Sequence, residues 1–161
     1  MSTNADRHVI FTAGTTCAAL PVQRLAEVMR PLPIHSLDGA PHFVLGLAII
    51  RGAPTPVVSV QRLLDQGGTD IPGRFITVRA DSRVVALAVT AIIGMRDLTA
   101  ADLAPVPPLL DQARPDLVAA LGIHDRGLLF VLRAAHVITA ELWLQIATAN
   151  AAAPTTTGAG P

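Results

Sequence analysis

Residues 20–28 read LPVQRLAEV and residues 87–95 read LAVTAIIGM. Leu20, Val22, Leu25 and Val28 recur as Leu87, Val89, Ile92 and Met95, with the same spacings, 67 residues later. Each copy is preceded by a strand-like run and a polar turn, HVIFTAG at 8–14 and FITVRA at 75–80. A second echo follows in the same order. Arg51–Gly52 leads into PVVSVQRLL, and Arg126–Gly127 leads into LFVLRAAHVI, each a strand-like run followed by a helix-like one. Two echoes in one order point to a duplicated β unit. The cut falls in DQGGTDIPG, residues 65–73, where Gly67, Gly68, Pro72 and Gly73 punctuate the chain.

Working outward, TPVVSV (55–60), RVVALAV (83–89) and GLLFVL (127–132) are further short runs bounded by turn residues. Short strands at this spacing indicate small barrels or sandwiches rather than α/β layers. Helical signals are fewer. A short helix is expected near Gln61–Leu64, a capping box at Thr99 and Asp102, and a final helix in TAELWLQIATAN with Leu142, Trp143 and Ile146 on one face. The last residues, AAAPTTTGAGP, have no apolar periodicity, and a disordered tail is expected over 147–161. Each half is of a size at which an isolated domain is marginal, so the halves should bury apolar surface against each other and leave a groove between them.

Composition narrows the function. The chain has 161 residues, 51% of them hydrophobic, with 12 basic and 12 acidic side chains and no net charge. Every basic residue is an arginine, and they are scattered, so no field steers nucleic acid or an anionic membrane. The N-terminal MSTNADRHV lacks the apolar stretch of a signal peptide, and no apolar run reaches the ~18 residues of a membrane span. A cytoplasmic protein without membrane insertion is expected.

Catalytic and metal chemistry find no constellation. The five histidines include no i, i+4 pair and stand beside no cysteine or carboxylate cluster. Cys17 is alone, in what reads as a buried strand where a thiol behaves as a small hydrophobe. No serine lies in a G-x-S-x-G elbow, and the Gly67–Gly68 pair precedes neither lysine nor helix. No enzyme, cofactor or metal is expected. The stretch LAPVPPLLDQARP, residues 103–115, reads as a stiff connector or as a polyproline ligand. Arg51 is either a solvated strand end or a guanidinium at an apolar surface, where it needs a carboxylate. Glu27, set among apolar neighbours in the repeated segment, is the expected partner.

GLAIIRGAPTPVVSVQRLL, residues 46–64, resembles the G-x-x-x-x-R-G-x-x-x-P-V-V-D-L-x-x-x-L hallmark of the CheW-like family of chemotaxis coupling proteins. RVVALAVTAIIGMRDLTAADLAPVPPLL and LGIHDRGLLFVLRAAHVI are similar to that family's following segments, so the resemblance runs from about Val9 to Ile138. It implies one domain over 1–146, mainly β, of two SH3-like five-stranded barrels on a shared core, with short helices and a C-terminal helix. The subdomains would run roughly 9–68 and 69–140, with terminal strand exchange possible. It further implies a non-catalytic adaptor at receptor arrays near the inner membrane. The adaptor would couple the tip of a methyl-accepting chemoreceptor to a CheA-type histidine kinase, through the kinase's own CheW-like regulatory domain. By position, Arg51 and Gly52 are the hallmark pair, Glu27 lies where an acid often accompanies that arginine, Val28 and Val57 are groove-lining, and Leu109 is an apolar kinase-facing position. Ser59 and Thr90 depart from the pattern, standing where it has aspartate. A hydroxyl still caps a turn, but a charge-assisted bond would be lost. The alternatives are a regulator or decoy that binds only kinase or only receptor, an adaptor of another motility or signalling array, and an unrecognised hydrolase or ligand-binding barrel using Cys17 or a histidine.

Overall fold

The computed structural model describes residues 6–64, 69–80, 82–107, 117–133, 137–138, 140 and 143–147. Its strands are β1 (Asp6–Ala13), β2 (Thr16–Pro21), β3 (Leu25–Met29), β4 (Val44–Ile50), β5 (Ala53–Ser59), β6 (Arg74–Ala80), β7 (Arg83–Val89), β8 (Ala91–Leu98), β9 (Val118–His124) and β10 (Gly127–Leu132). One four-residue helix, α1 (Val60–Leu63), follows β5. The capping box is present, with Thr99 and Asp102 closing a 3-10 turn at Ala100–Asp102.

The strands form two five-stranded sheets, ordered β8-β1-β2-β10-β9 and β3-β6-β7-β5-β4. Pairing is antiparallel except for β10 with β2 and β5 with β7. In chain order β1–β3 correspond to β6–β8, and β4–β5 to β9–β10. Each sheet therefore takes the first two strands of one copy and the last three of the other, and both sheets draw strands from either side of residue 68.

At three of its four positions the sequence echo is also an echo of burial, the exception being Val22, half-buried where Val89 is in the core. Leu20 and Leu87 are fully buried in the core shared by the sheets, and Leu25 and Ile92 pack against that core half-buried. Val28 and Met95 are exposed at 41% and 57%. Along each strand alternate residues serve different clusters, as the period of two requires. In β1, Val9 and Phe11 enter the shared core while Ile10 joins Ala19, Leu98, Leu129 and Val131 inside its own sheet. In the second sheet Val58, Val85 and Leu87 face the shared core, whereas Val57, Phe75, Ala86 and Ala88 form the inner cluster.

Burial on both faces is what a barrel would show, yet neither sheet is one. The expected pair of closed SH3-like barrels is corrected to two open, mixed sheets. Closure would need a backbone ladder between β8 and β9 and between β3 and β4, and these strands are the unpaired ends of their sheets. The edge of β4 is instead taken by the preceding segment, where His35 donates to the Leu47 carbonyl at 2.7 Å and Leu47 returns the bond at 2.8 Å. Ala104 and Leu121 cover β9 in the same way, at 2.7 and 3.0 Å. Each bridge engages the edge strand's backbone at that one residue, with a segment other than the strand closure would need. At Gly46, with φ of 145°, a Cβ would lie 2.1 Å from the His35 carbonyl oxygen, so glycine is what allows this close cover.

Side chains span the open seams where backbone does not. Arg96 on β8 donates to the Ile123 carbonyl on β9 at 2.8 Å. Arg51, in the β4–β5 turn, reaches Glu27 on β3. Residues 143–147 are helical. Ile146 is buried in the shared core, and the Arg83 guanidinium stacks 4.8 Å from the Trp143 ring centroid. Most of the expected tail over 147–161, and all but the first residues of the 103–115 stretch, lie outside the described residues. Among the described residues no helix is long and apolar enough to cross a membrane.

Candidate functional site

Arg51 and Gly52 are the two central residues of the β4–β5 hairpin turn, between the paired residues Ile50 and Ala53. Both have positive φ, 52° and 79°, the mirror-image turn whose twist suits a hairpin. Glycine meets that demand freely. Arg51 does so at a conformational cost, and its side chain is held by a bidentate fork on Glu27, Nε to Oε2 at 2.8 Å and Nη2 to Oε1 at 2.9 Å. The Glu27 backbone is fixed in turn, its N–H donating to Thr77 Oγ1 at 3.1 Å. The Arg51 hydrogen bonds hold the Glu27 carboxyl below the usual carboxylate range, and Glu27 pushes the guanidinium up. The pair stays open to solvent, at 78% exposure for the arginine side chain and 31% for the glutamate.

The second Arg–Gly echo lands on the equivalent β9–β10 turn, displaced by one residue. There Asp125 and Arg126 are the central residues, with φ of 46° and 68°, and Gly127 already pairs with His124 in the ladder. The chemistry is not repeated: a carboxylate occupies the place of Arg51.

Beside the Glu27–Arg51 pair opens a depression of ≈ 460 Å³, lined among others by Ile50, Thr55, Thr77, Arg79 and Val84. Val28 is exposed next along β3, but successive strand residues project to opposite faces. Val28 pairs with Ile76 of the shared core, so it lies on the side where the sheets meet, away from the carboxylate. Val57 is fully buried among Ala48, Ile50 and Phe75 and supports the hairpin from within. Leu109 lies outside the described residues. The expected residues thus divide into an ion pair with its turn, an exposed valine on another face, and a core residue.

Ser59 and Thr90 keep structural work. Ser59 is wholly buried and caps α1, its Oγ accepting from the Arg62 N–H at 3.1 Å. The same hydroxyl donates to Asp70 Oδ2 at 2.7 Å, and Arg62 Nε meets that oxygen at 2.9 Å. The cap itself is thus a neutral hydroxyl bond, and negative charge reaches this turn through Asp70, which both Ser59 and Arg62 meet. Thr90 sits where the chain crosses from one sheet to the other. Its N–H donates to the Thr12 carbonyl and its Oγ1 accepts from Gly14 N–H, both at 2.8 Å.

Among the described residues no group of three His, Cys, Asp or Glu side chains converges to hold a metal. Cys17 is half-buried in β2, and burial raises its thiol further above neutrality, away from the reactive thiolate. What the site offers is shape, a fixed guanidinium–carboxylate fork and partly exposed apolar side chains, which is the chemistry of docking. Sequence reasoning missed Asp70, Arg79 and Arg83. Only the strand-end places of Arg79 and Arg83 hinted at exposure, and nothing in the sequence marked Asp70, whose side chain is 11% exposed.

The family description "CheW-like domain" matches residues 7–142. Over 102 residues the chain is 30% identical to Protein FrzA of Myxococcus xanthus, covering 62% of each chain. Over 133 residues it is 28% identical to Chemotaxis protein CheW of Rhizobium meliloti (strain 1021), covering 80% of this chain and 86% of that protein. Among solved structures, the scaffolding protein TtCheW from Thermoanaerobacter tengcongensis superposes with a TM-score of 0.72 at 19% identity, covering 84% of this chain and 93% of that one. With the match spanning nearly the whole described fold, the chain belongs to the CheW-like domain family.

Proposed function

We propose that the surface around Glu27, Arg51 and Gly52 is where this protein meets its signalling partners, with Val28 opening a second surface on the side where the sheets meet. The protein is a non-catalytic adaptor of the CheW type, linking chemoreceptors to a CheA-type histidine kinase. It acts in the cytoplasm, at receptor arrays near the inner membrane, as one domain over residues 1–146, and it engages the kinase through the kinase's own CheW-like domain. Leu109 belongs to the kinase-facing apolar surface.

The observation that carries this reading is the exposed bidentate pair on a positive-φ turn. Exposed ion pairs add little to stability, so an arginine held in a costly backbone conformation is better explained by the surface it shapes. An adaptor needs no chemistry of its own. It needs two surfaces and a differential affinity for the states of its partners, which is what lets receptor conformation bias the kinase.

The test is reconstitution of the purified protein with kinase and receptor, wild type against Arg51→Ala and Glu27→Gln. Binding of at least one partner should weaken about tenfold, with receptor control of kinase activity lost in parallel and thermal unfolding little changed. Undiminished binding and control in both variants would remove the site. Failure of the wild type to bind either partner would remove the adaptor function.

A further inference from the structure

The internal repeat lets the two sheets be compared position by position. Leu20 matches Leu87, so Thr12 matches Arg79, Cys17 matches Val84 and Glu27 matches Gly94. The edge bridges align the second hairpins in the same way. Leu47 meets His35 and Leu121 meets Ala104, so Ile50 matches His124 and Arg51 matches Asp125. The end of the second sheet is concave. Its depression of ≈ 460 Å³ includes Ile50, Thr77, Arg79 and Val84. Alternation puts Phe75, Thr77 and Arg79 on one face of β6, that of the inner cluster, and Val84 stands across the ladder from Arg79. Glu27 is engaged at both oxygens by Arg51, so that fork is neutral. Arg79 is exposed and meets no carboxylate among the described residues. This end therefore presents one unmatched guanidinium beside apolar side chains.

The equivalent end of the first sheet inverts this. Gly94 leaves bare the position from which Glu27 spans the other seam, and a Cβ there would meet nothing within 4 Å. The carboxylate stands on the turn instead. Asp125 holds φ of 46° and its side chain is 93% exposed. Its one ion contact among the described residues is His124, 3.7 Å away, which is charged only when protonated. The Asp125 charge also acts on the Cys17 thiol, which packs against the inner cluster of this sheet, so the carboxylate is directed to the same face as its counterparts. Two cations stand nearby. Arg96 is spent on the Ile123 carbonyl and acts on the Asp102 carboxylate, and Arg126 takes the place of Gly52 as the next residue of the turn.

We propose that copies of this chain join head to tail, the Asp125 turn of one entering the depression of the next and pairing with its Arg79. The occupant follows from complementarity within the chain itself. One end is a depression with a guanidinium that lacks an acid, and the other is an exposed turn with a carboxylate that lacks an arginine. The contact joins unlike surfaces, so each copy keeps one end of each kind for the next, and association continues into a ring or a filament. The inference goes beyond the adaptor reading and needs neither kinase nor receptor. It touches that reading at one point. The Glu27–Arg51 fork borders the same depression, so a seated copy and a partner on the fork share that end.

The test sediments the full chain alone across a concentration series, as wild type, Arg79→Glu, Asp125→Arg and an equimolar mixture of the two variants. A small contact built on exposed charges is weak, with Kd between about 1 μM and about 1 mM, and the series spans that range. Asp125→Arg suits its turn, because Arg51 holds the matching position with φ of 52°. Arg79→Glu changes an exposed side chain. Thermal unfolding checks both. Wild-type mass should rise past that of a dimer with concentration and fall with added salt. Each variant alone should associate at least about tenfold more weakly, since its two ends carry like charge. The mixture should recover the wild-type mass, because every junction in it again joins unlike charges, and misfolded variants could not recover it. A wild type that stays monomeric would overturn the proposal. So would one that stops at a dimer, which is a twofold contact between like surfaces. Association unchanged in both variants, or not recovered in the mixture, would overturn the pairing of Asp125 with Arg79. Each of these results leaves the adaptor reading standing, since that reading fails only on kinase and receptor binding.

Discussion

Ser59 offers the sharpest quantitative test, because a single buried hydroxyl serves two neighbours. Its Oγ accepts the Arg62 N–H that caps α1 and donates to Asp70, whose side chain is only 11% exposed and also meets Arg62 Nε. Ser59→Ala removes a cap contributing about 1 kcal/mol and a hydrogen bond to a charged group contributing about 1.5–3 kcal/mol. Asp70 keeps its arginine, so no carboxylate is orphaned. The sum is a loss of about 2–4 kcal/mol, or about 5–15 °C in Tm for a chain of this size. Ser59→Asp restores the residue of the family hallmark but sets a second carboxylate against Asp70 at a site with no solvent exposure, so it should be at least as destabilising. Adding Asp70→Asn removes the repulsion, and the new carboxylate can take over Arg62. Urea unfolding of the four proteins closes a double-mutant cycle. The expected coupling between Ser59→Asp and Asp70→Asn is favourable by at least about 1.5 kcal/mol, with the midpoint moving and the slope constant. If Ser59→Asp alone were as stable as wild type, or the two changes simply added, Asp70 would not be the relocated partner of this turn.

Two further outcomes follow from the turns. Arg126 holds φ of 68° with an exposed side chain, so Arg126→Gly should stabilise by about 1 kcal/mol, read as a rise in the urea midpoint. The Asp102 carboxyl is held below its ordinary value, chiefly by the Thr99 backbone N–H and then by its hydroxyl. Its contribution is therefore complete above the unfolded value of about 3.9 and is lost as pH falls through the lower folded value. The acid limb of unfolding should be shallower in Asp102→Asn than in wild type, and identical acid limbs would refute the linkage.

Much of the fold was legible because it depends on local order. The strands at HVIFTAG, FITVRA, RVVALAV, TPVVSV and GLLFVL, the helix after Ser59, and the Thr99–Asp102 box are set by alternation, turn residues and short-range hydrogen bonds. The duplication was legible for the same reason: spacings repeat when the same faces are buried, and Leu20 and Leu87 share a core. The Glu27–Arg51 pair could be reached by elimination, since few carboxylates lie in the first half and an arginine on an apolar hairpin needs one.

What the sequence by itself determined, then, is the list of strands, their twofold repetition, and the hairpin on which a charged fork sits. Tertiary structure alone decided how the copies exchange strands, because residues 6–21 choose their neighbours by long-range ladders that no local pattern encodes. It also decided that the sheets stay open. β3 and β4 remain the ends of their sheet, and on the β4 edge Leu47 meets His35 through a close approach that Gly46 allows. The partner of Ser59 belongs to the same class. A carboxylate eleven residues away is a fact of three-dimensional proximity, and charge in a sequence carries no record of what stands beside it.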